Sequence, residues 1–383
     1  MKRFSLKRLA LSLTLAAGLA GNAHAQGVTD DEVIIGSNQD MSGVFAAFGA
    51  PAIAAANLYF DKVNADGGVH GRKIKLVVED HAYQMPKAMQ GLNKLVNSDK
   101  IFAMFLQLGT PMNMAAFPLM EKKQIHNVFA LTGARQMIDP LTDYKWAGFS
   151  SYYDQINYGL KWLAENKGAK NICAMYIPSD FGLETQESAK ATVEELKLKY
   201  AGETTHKPDE QDFVGSLTKL KGEGCDTIAI ALSVRQAITV VATAKKMGWE
   251  DVNFLGASAS FHTAVAKVPG GITNGFYAAA SWLDLDGRQD VPEVAAWLKE
   301  LEAAGEKPSS GGLLGRHAAE VMVKALESAG KELTPESFKK GLESVSYDDA
   351  LLGVKVNYGE DHQGVDDVIL SQIVDGQWVR IDE

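Results

Sequence analysis

Two cysteines are all that 383 residues contain. That excludes a disulfide-stapled small scaffold and any cage built from several thiolates. The eight histidines are scattered, with no pair at i, i+4 and no Cys/His cluster, so nothing in the spacing supports a metal site. A Gly-Lys-Ser/Thr phosphate loop is missing, and no Gly-x-Gly-x-x-Gly follows the first strand candidate. The nearest run to a nucleophile elbow, Gly256-Ala257-Ser258-Ala259-Ser260, lacks its second glycine. Asp284-Leu285-Asp286-Gly287 carries its glycine fourth instead of sixth, which makes it a turn and not a calcium loop. No cofactor, no metal and no catalytic residue is therefore expected. Triads assemble from distant residues, but an enzyme reading has no motif to stand on. Positive charge is also short: 38 Lys and Arg against 48 Asp and Glu give a net charge of −10. An acidic surface argues against nucleic acid or an anionic membrane as partner.

What is present begins with an export signal. Lys2, Arg3, Lys7 and Arg8 precede an apolar stretch from Leu9 to Ala20, and Ala23-His24-Ala25 is a small-x-small cleavage site. The stretch falls short of the roughly 20 apolar residues that span a bilayer, and no later segment approaches that length. Residues 1–25 are thus expected to be a cleaved signal peptide. The remaining chain, from residue 26, would carry a net charge of −14 and would work in the periplasm. No cysteine follows the cut, so lipid attachment there is not expected. Cys173 and Cys225 lie near the starts of strand candidates in a compartment that permits disulfides. Their spacing leaves open a bridge between them or two separate buried thiols.

Short apolar runs recur with helical segments between them. Strands are predicted at Val33–Ser37, Ile74–Glu79, Ile101–Leu106 and Ile125–Phe129. After a break over Thr132–Ser151 they resume at Asn171–Ile177, Glu203–His206, Thr227–Leu232, Val252–Gly256 and Gly275–Ala280. Near-continuous apolar strands suit parallel sheets covered on both faces. The intervening stretches repeat apolar residues at helical spacing, as in Met89, Leu92 and Val96. Two such series predict two doubly wound α/β sheets with a cleft between them. Helices over Val294–Ala304 and Gly315–Ala329 must pack after the second series, and Trp282–Gly287 looks like a return crossing.

Strand ends in this pattern are suited to a small anion. Gln107-Leu108-Gly109-Thr110-Pro111 follows the third strand and enters a helix, whose free N–H groups attract a carboxylate. Ordinary capping explains the same residues. Ala130-Leu131-Thr132-Gly133-Ala134 is a second small, hydroxyl-bearing turn at the same edge. Phe45 and Phe48 follow the first strand, and Pro178-Ser179-Asp180-Phe181-Gly182 the fifth. Such rings are commonly core, but their position at a cleft suits Phe48 and Phe181 to wall an apolar ligand.

With Val33–Gly49, Asn64–Asp80, Gly109-Thr110-Pro111, Thr132-Gly133-Ala134 and Asp180-Phe181-Gly182, nearly the whole chain after residue 26 resembles the periplasmic branched-chain amino-acid-binding proteins. The resemblance implies an α/β fold of two parallel-sheet lobes joined by three hinge crossovers. Lobe 1 would comprise 26–148 plus 283–368, and lobe 2 would comprise 149–282 plus 369–383. It also implies delivery of ligand to the membrane permease of an ABC importer. By the same resemblance, Gly109, Thr110, Leu131, Thr132 and Gly133 hold the ligand carboxylate, with aromatic walls at Phe48 and Phe181. The family's ammonium-binding acid falls at Ser258, and its second-lobe tyrosine at Ser233, beside Arg235, which could add an anion contact. No Asp or Glu lies between Val252 and Ala280.

A buried ammonium without a charged partner carries a large desolvation cost. The expected ligand is therefore a small carboxylate without an amino group, with aromatic acids included. Branched-chain amino-acid binding and a ligand-sensing module for a membrane receptor are the alternatives. The protein is expected to work as a monomer.

Overall fold

The computed structural model describes residues 25–382. The expected signal peptide therefore lies outside the described residues except for Ala25. Gln26 is already tied in, its side-chain amide donating to the Val96 and Ile101 carbonyls at 3.2 and 3.0 Å.

The first sheet is built from β1 (Glu32–Gln39), β2 (Lys73–Asp80), β3 (Ala103–Phe105), β4 (His126–Ala130) and β5 (Lys145–Ala147). All neighbours run parallel in the order β2-β1-β3-β4-β5. Helices α1 (Ala46–Ala65), α2 (Met85–Asn93) and α3 (Thr110–Lys122) make the crossovers. β3 and β4 are buried throughout, as expected of central parallel strands, whereas edge strand β2 exposes Lys73 and Lys75. The strand order reverses between β1 and β3. The loops leaving their carboxyl ends therefore diverge and leave the crevice where ligands bind in open α/β sheets.

The chain then passes through α4 (Tyr152–Lys167) into β6 (Asn171–Tyr176), α5 (Asp180–Leu196), β7 (Lys199–Thr205) and α6 (Val214–Gly222). It continues through β8 (Thr227–Ala231), α7 (Val234–Lys246), β9 (Asn253–Gly256), α8 (Thr263–Ala266) and β10 (Tyr277–Ala280). From Ala280 it leaves this second sheet and forms α9 (Pro292–Ala304), α10 (Ser310–Ala329) and α11 (Pro335–Glu343). A hairpin of β11 (Ser346–Asp349) and β12 (Val354–Asn357) follows. α10 lies against α1, so close that a Cβ on Gly315 would stand 2.0 Å from the Ala52 carbonyl oxygen. Only glycine permits that approach.

The chain finally returns as β13 (Ile369–Val374) and β14 (Gln377–Arg380) to the second sheet, whose order is β14-β13-β10-β9-β8-β6-β7. Both sheets are mostly parallel, as expected of doubly wound lobes, and β13 and β14 extend the second one antiparallel at its edge. The stretch read as a break over Thr132–Ser151 contains β5. The third strand ends earlier than predicted because Leu106 is left-handed, at φ 55°. Cys173 on β6 and Cys225 before β8 are joined, with Cα atoms 5.9 Å apart, which settles the alternative left open by spacing.

Candidate functional site

The carboxyl ends of β1, β3 and β4 supply one wall. After β1 the buried Asp40 carboxylate accepts from the N–H groups of Gly43 and Phe45 at 2.5 and 2.8 Å. This turn sets the direction of α1 and brings Phe45 and Phe48 to the cleft. After β2, His81 donates through Nε2 to the Leu108 carbonyl and accepts at Nδ1 from the Tyr83 N–H. Burial lowers its pKa, so the ring stays in that neutral tautomer. Tyr83 packs on Phe45 with centroids 4.5 Å apart.

The loop after β3 is held from below. The buried Asn113 amide donates to the Gln107 and Gly109 carbonyls, both at 2.9 Å. Gly109 has φ 98°, and a Cβ there would meet Met112 Sδ at 2.9 Å and the Tyr83 ring at 3.1 Å. A side chain at 109 would thus strain the backbone and crowd the cavity. α3 begins at Thr110, whose hydroxyl lies 2.6 Å from that of Thr132 across the gap between the β3 and β4 loops. Leu106 and Phe129, both at positive φ, sit directly beneath these loops. Backbone strain at such positions is typical of ligand clamps.

The facing wall comes from the second sheet and its approach. Phe181, in the first turn of α5, meets Phe45 and Tyr152 edge-on at 5.7 and 5.3 Å. Ser258 follows β9, its N–H donating to the buried Gln155 side chain at 2.7 Å. Trp282 follows β10 and is fixed by edge contacts with Phe149 and Phe261. The walls enclose a cavity of about 40 Å³. No charged side chain lines it; hydroxyl-bearing residues, aromatic rings and the start of α3 do. Burial raises the pKa values of Tyr83 and Tyr152, against contacts from Thr132 and the Gly133 backbone in the second case. Both phenols are therefore neutral donors at physiological pH.

Two contacts beside the cavity join the walls. Glu184 of α5 accepts from the Arg135 N–H at 3.1 Å and the Tyr153 N–H at 3.3 Å, while the Arg135 guanidinium stacks on Tyr153 and reaches Glu187. Burial raises the Glu184 pKa to about 7 despite those donors and the Arg135 charge. His262, before α8, lies 3.1 Å through Nε2 from the Ala47 carbonyl of α1. Burial lowers its pKa to about 4.

Of the residues singled out from sequence, Phe48, Gly109, Thr110, Leu131, Thr132, Phe181 and Ser258 line the cavity together. Gly133 stands one layer behind, its carbonyl accepting from the Tyr152 N–H at 2.6 Å. Ser233 and Arg235 are not among the residues that line this cavity. Ser233 is the N-cap of α7, its hydroxyl and backbone engaged reciprocally with Gln236. Arg235, one residue into that helix, is exposed and reaches Gln211 at 3.3 Å. Both line a separate cleft of about 440 Å³ toward Gly43 and Ala47. Sequence reasoning missed Tyr83, Phe149, Tyr152 and Trp282. The last three follow β5 and β10, so a strand-end rule would have found Trp282, whereas β5 itself went unrecognised.

The family profile described as periplasmic binding protein matches residues 32–377. A leucine-, isoleucine-, valine-, threonine- and alanine-binding protein of Pseudomonas aeruginosa is 23% identical over 340 residues, covering 88% of each chain. A fatty acid ABC transporter substrate-binding protein from Thermomonospora curvata superposes with a TM-score of 0.84 at 25% identity, over 94% of this chain and 93% of that one. An ABC-transporter solute-binding protein of R. palustris in complex with benzoate gives 0.81 at 16% identity, over 91% and 95%, and shares the fold. With two crossover-linked sheets facing each other across an uncharged crevice, the chain belongs to the periplasmic binding protein family.

Proposed function

We propose that the protein is the solute-binding component of an ABC importer and captures a small carboxylate that lacks an amino group. The observation that carries this reading is the lining of the cavity. It offers the start of α3, the Thr110 and Thr132 hydroxyls and a set of rings, with no Asp or Glu. A carboxylate finds N–H and hydroxyl donors and the positive end of a helix dipole there. An ammonium finds hydroxyl oxygens and ring faces but no carboxylate; a ring face is worth about 0.5–2 kcal/mol, against several kcal/mol for burying an ion. Ser258 stands where the family resemblance expects the ammonium's partner.

In this reading lobe 1 is 26–148 plus 283–368 and lobe 2 is 149–282 plus 369–383, acting as a monomer in the periplasm. Ligand stabilises the closed arrangement, which the membrane permease recognises. The relatives named for fatty acid and benzoate support an acid without nitrogen. The relative named for leucine, isoleucine and valine favours the second reading, an ordinary branched-chain amino acid.

A thermal-shift panel followed by calorimetry separates the two. Leucine and phenylalanine are compared with 4-methylpentanoate and 3-phenylpropanoate. Saturation at 100 times the dissociation constant adds about 2.7 kcal/mol of stability. Tighter binding of the deaminated acids is expected; tighter binding of leucine would restore the amino-acid reading.

A further inference from the structure

Two buried donors on the second wall are left over. The Trp282 indole is 1% exposed, and its Nε1–H meets no acceptor among the described residues. The Ser258 hydroxyl, 2% exposed, is equally without a partner, although the backbone N–H of the same residue is satisfied by Gln155. Both residues line the cavity. Indole nitrogen only donates, and a buried donor without an acceptor is penalised, so such groups in native proteins are as a rule paired. On the first wall, by contrast, the Thr110 and Thr132 hydroxyls are paired with each other, which uses one of their two protons and leaves the other for a ligand. The cavity is thus polar at two poles of different character. One is a helix start with paired hydroxyls, suited to an anion; the other holds two free donors amid rings.

We propose that Trp282 and Ser258 form a second recognition pole that takes an acceptor oxygen, so that the ligand is an oxo- or hydroxy-carboxylic acid. The inference rests on the reading of the cavity as a site for a non-amino carboxylate and adds a second oxygen to it. A neutral carbonyl or hydroxyl oxygen fits this pole. A methyl group in its place would leave both donors buried and unpaired, the situation in which polar sites discriminate most strongly. The Trp282 ring is held between Phe149 and Phe261, so it cannot turn away from an ill-matched ligand without disturbing both.

Calorimetry on the full mature chain with two matched pairs tests this. 4-Oxopentanoate is compared with pentanoate, and 4-hydroxybenzoate with benzoate. In at least one pair the oxygenated acid should bind roughly tenfold or more tighter, as expected of one or two hydrogen bonds. Trp282→Phe and Ser258→Ala should each reduce that ratio, the oxygenated acid losing more affinity than the plain acid of its pair. Thermal melts confirm that each variant is folded, and Ser258→Ala, the smaller change, decides if the tryptophan variant is not. Equal binding within both pairs, or a preference that survives both substitutions, overturns the second pole while leaving the carboxylate site standing. Tighter binding of leucine than of every acid in the set overturns both.

Discussion

Thr110 opens a helix with its backbone, and its hydroxyl touches its counterpart on the next loop. If it also grips the carboxylate, Thr110→Ala should weaken binding of the best acid by roughly 1.5–3 kcal/mol, the range for a hydrogen bond to a charged group. Calorimetry reads this directly, and an unchanged dissociation constant would reduce Thr110 to a helix start. Gly109→Ala should be more damaging, since the added carbon meets Met112 and Tyr83 at a backbone angle that alanine adopts only with strain. A lower melting temperature together with weakened binding is expected. Gly109-Thr110-Pro111 was legible because glycine, a capping residue and proline in succession announce a strand-to-helix turn. Ser233 misled for the same reason: a serine after a strand looks identical whether its hydroxyl serves a ligand or, as here, Gln236. Tyr83 and Trp282 were not legible, because aromatic residues in loops read as core until the loops are folded.

Elements whose neighbours are all sheet were found from their apolar runs, with β4 and β8 nearly as drawn. β5 escaped because Lys145-Trp146-Ala147 is three residues long, and β13 and β14 because Ser371, Gln372 and Arg380 dilute their apolar pattern. Pairing could not be read from sequence at all. The bridge between Cys173 and Cys225 depends on β6 and β8 being neighbours, a fact of topology and not of spacing. It encloses a sequence separation of 52 residues, for which loop-closure entropy gives roughly 4 kcal/mol. Replacing both cysteines by alanine should lower the unfolding free energy by up to about that amount. Denaturant titration measures it, and an unchanged midpoint would show that the sheet alone sets the stability.

Across the whole molecule, closure is the event to measure. Saturating ligand should lower the radius of gyration in small-angle scattering, because lobes on hinges compact around what they bind. An unchanged value would count against hinged lobes. Protons should bias the same event. Glu184, held between the walls, is raised from 4.5 to about 7 by burial, so closure takes up a proton there if the open form leaves the carboxyl in water. Its contribution is complete below 4.5 and is lost as the pH rises through about 7. His262 falls from 6.5 to about 4, so its contribution is complete above 6.5 and is lost as the pH falls through about 4. Affinity for an acid that stays ionised should therefore be greatest between roughly pH 5 and 6.5. Glu184→Gln should flatten the alkaline side and His262→Gln the acid side. A profile that neither substitution alters would remove both groups from the closing equilibrium.

The second sheet has one further property. β10 waits for its antiparallel neighbour while residues 281–368 are made and fold against the first sheet. On a ribosome, the sheet therefore stays open at that edge until nearly all of the other sheet's helices have emerged. A chain laid out in this order cannot complete either half in isolation. The strands β13 and β14 are therefore the ones that close the second sheet, and a chain truncated before them leaves β10 as an open edge.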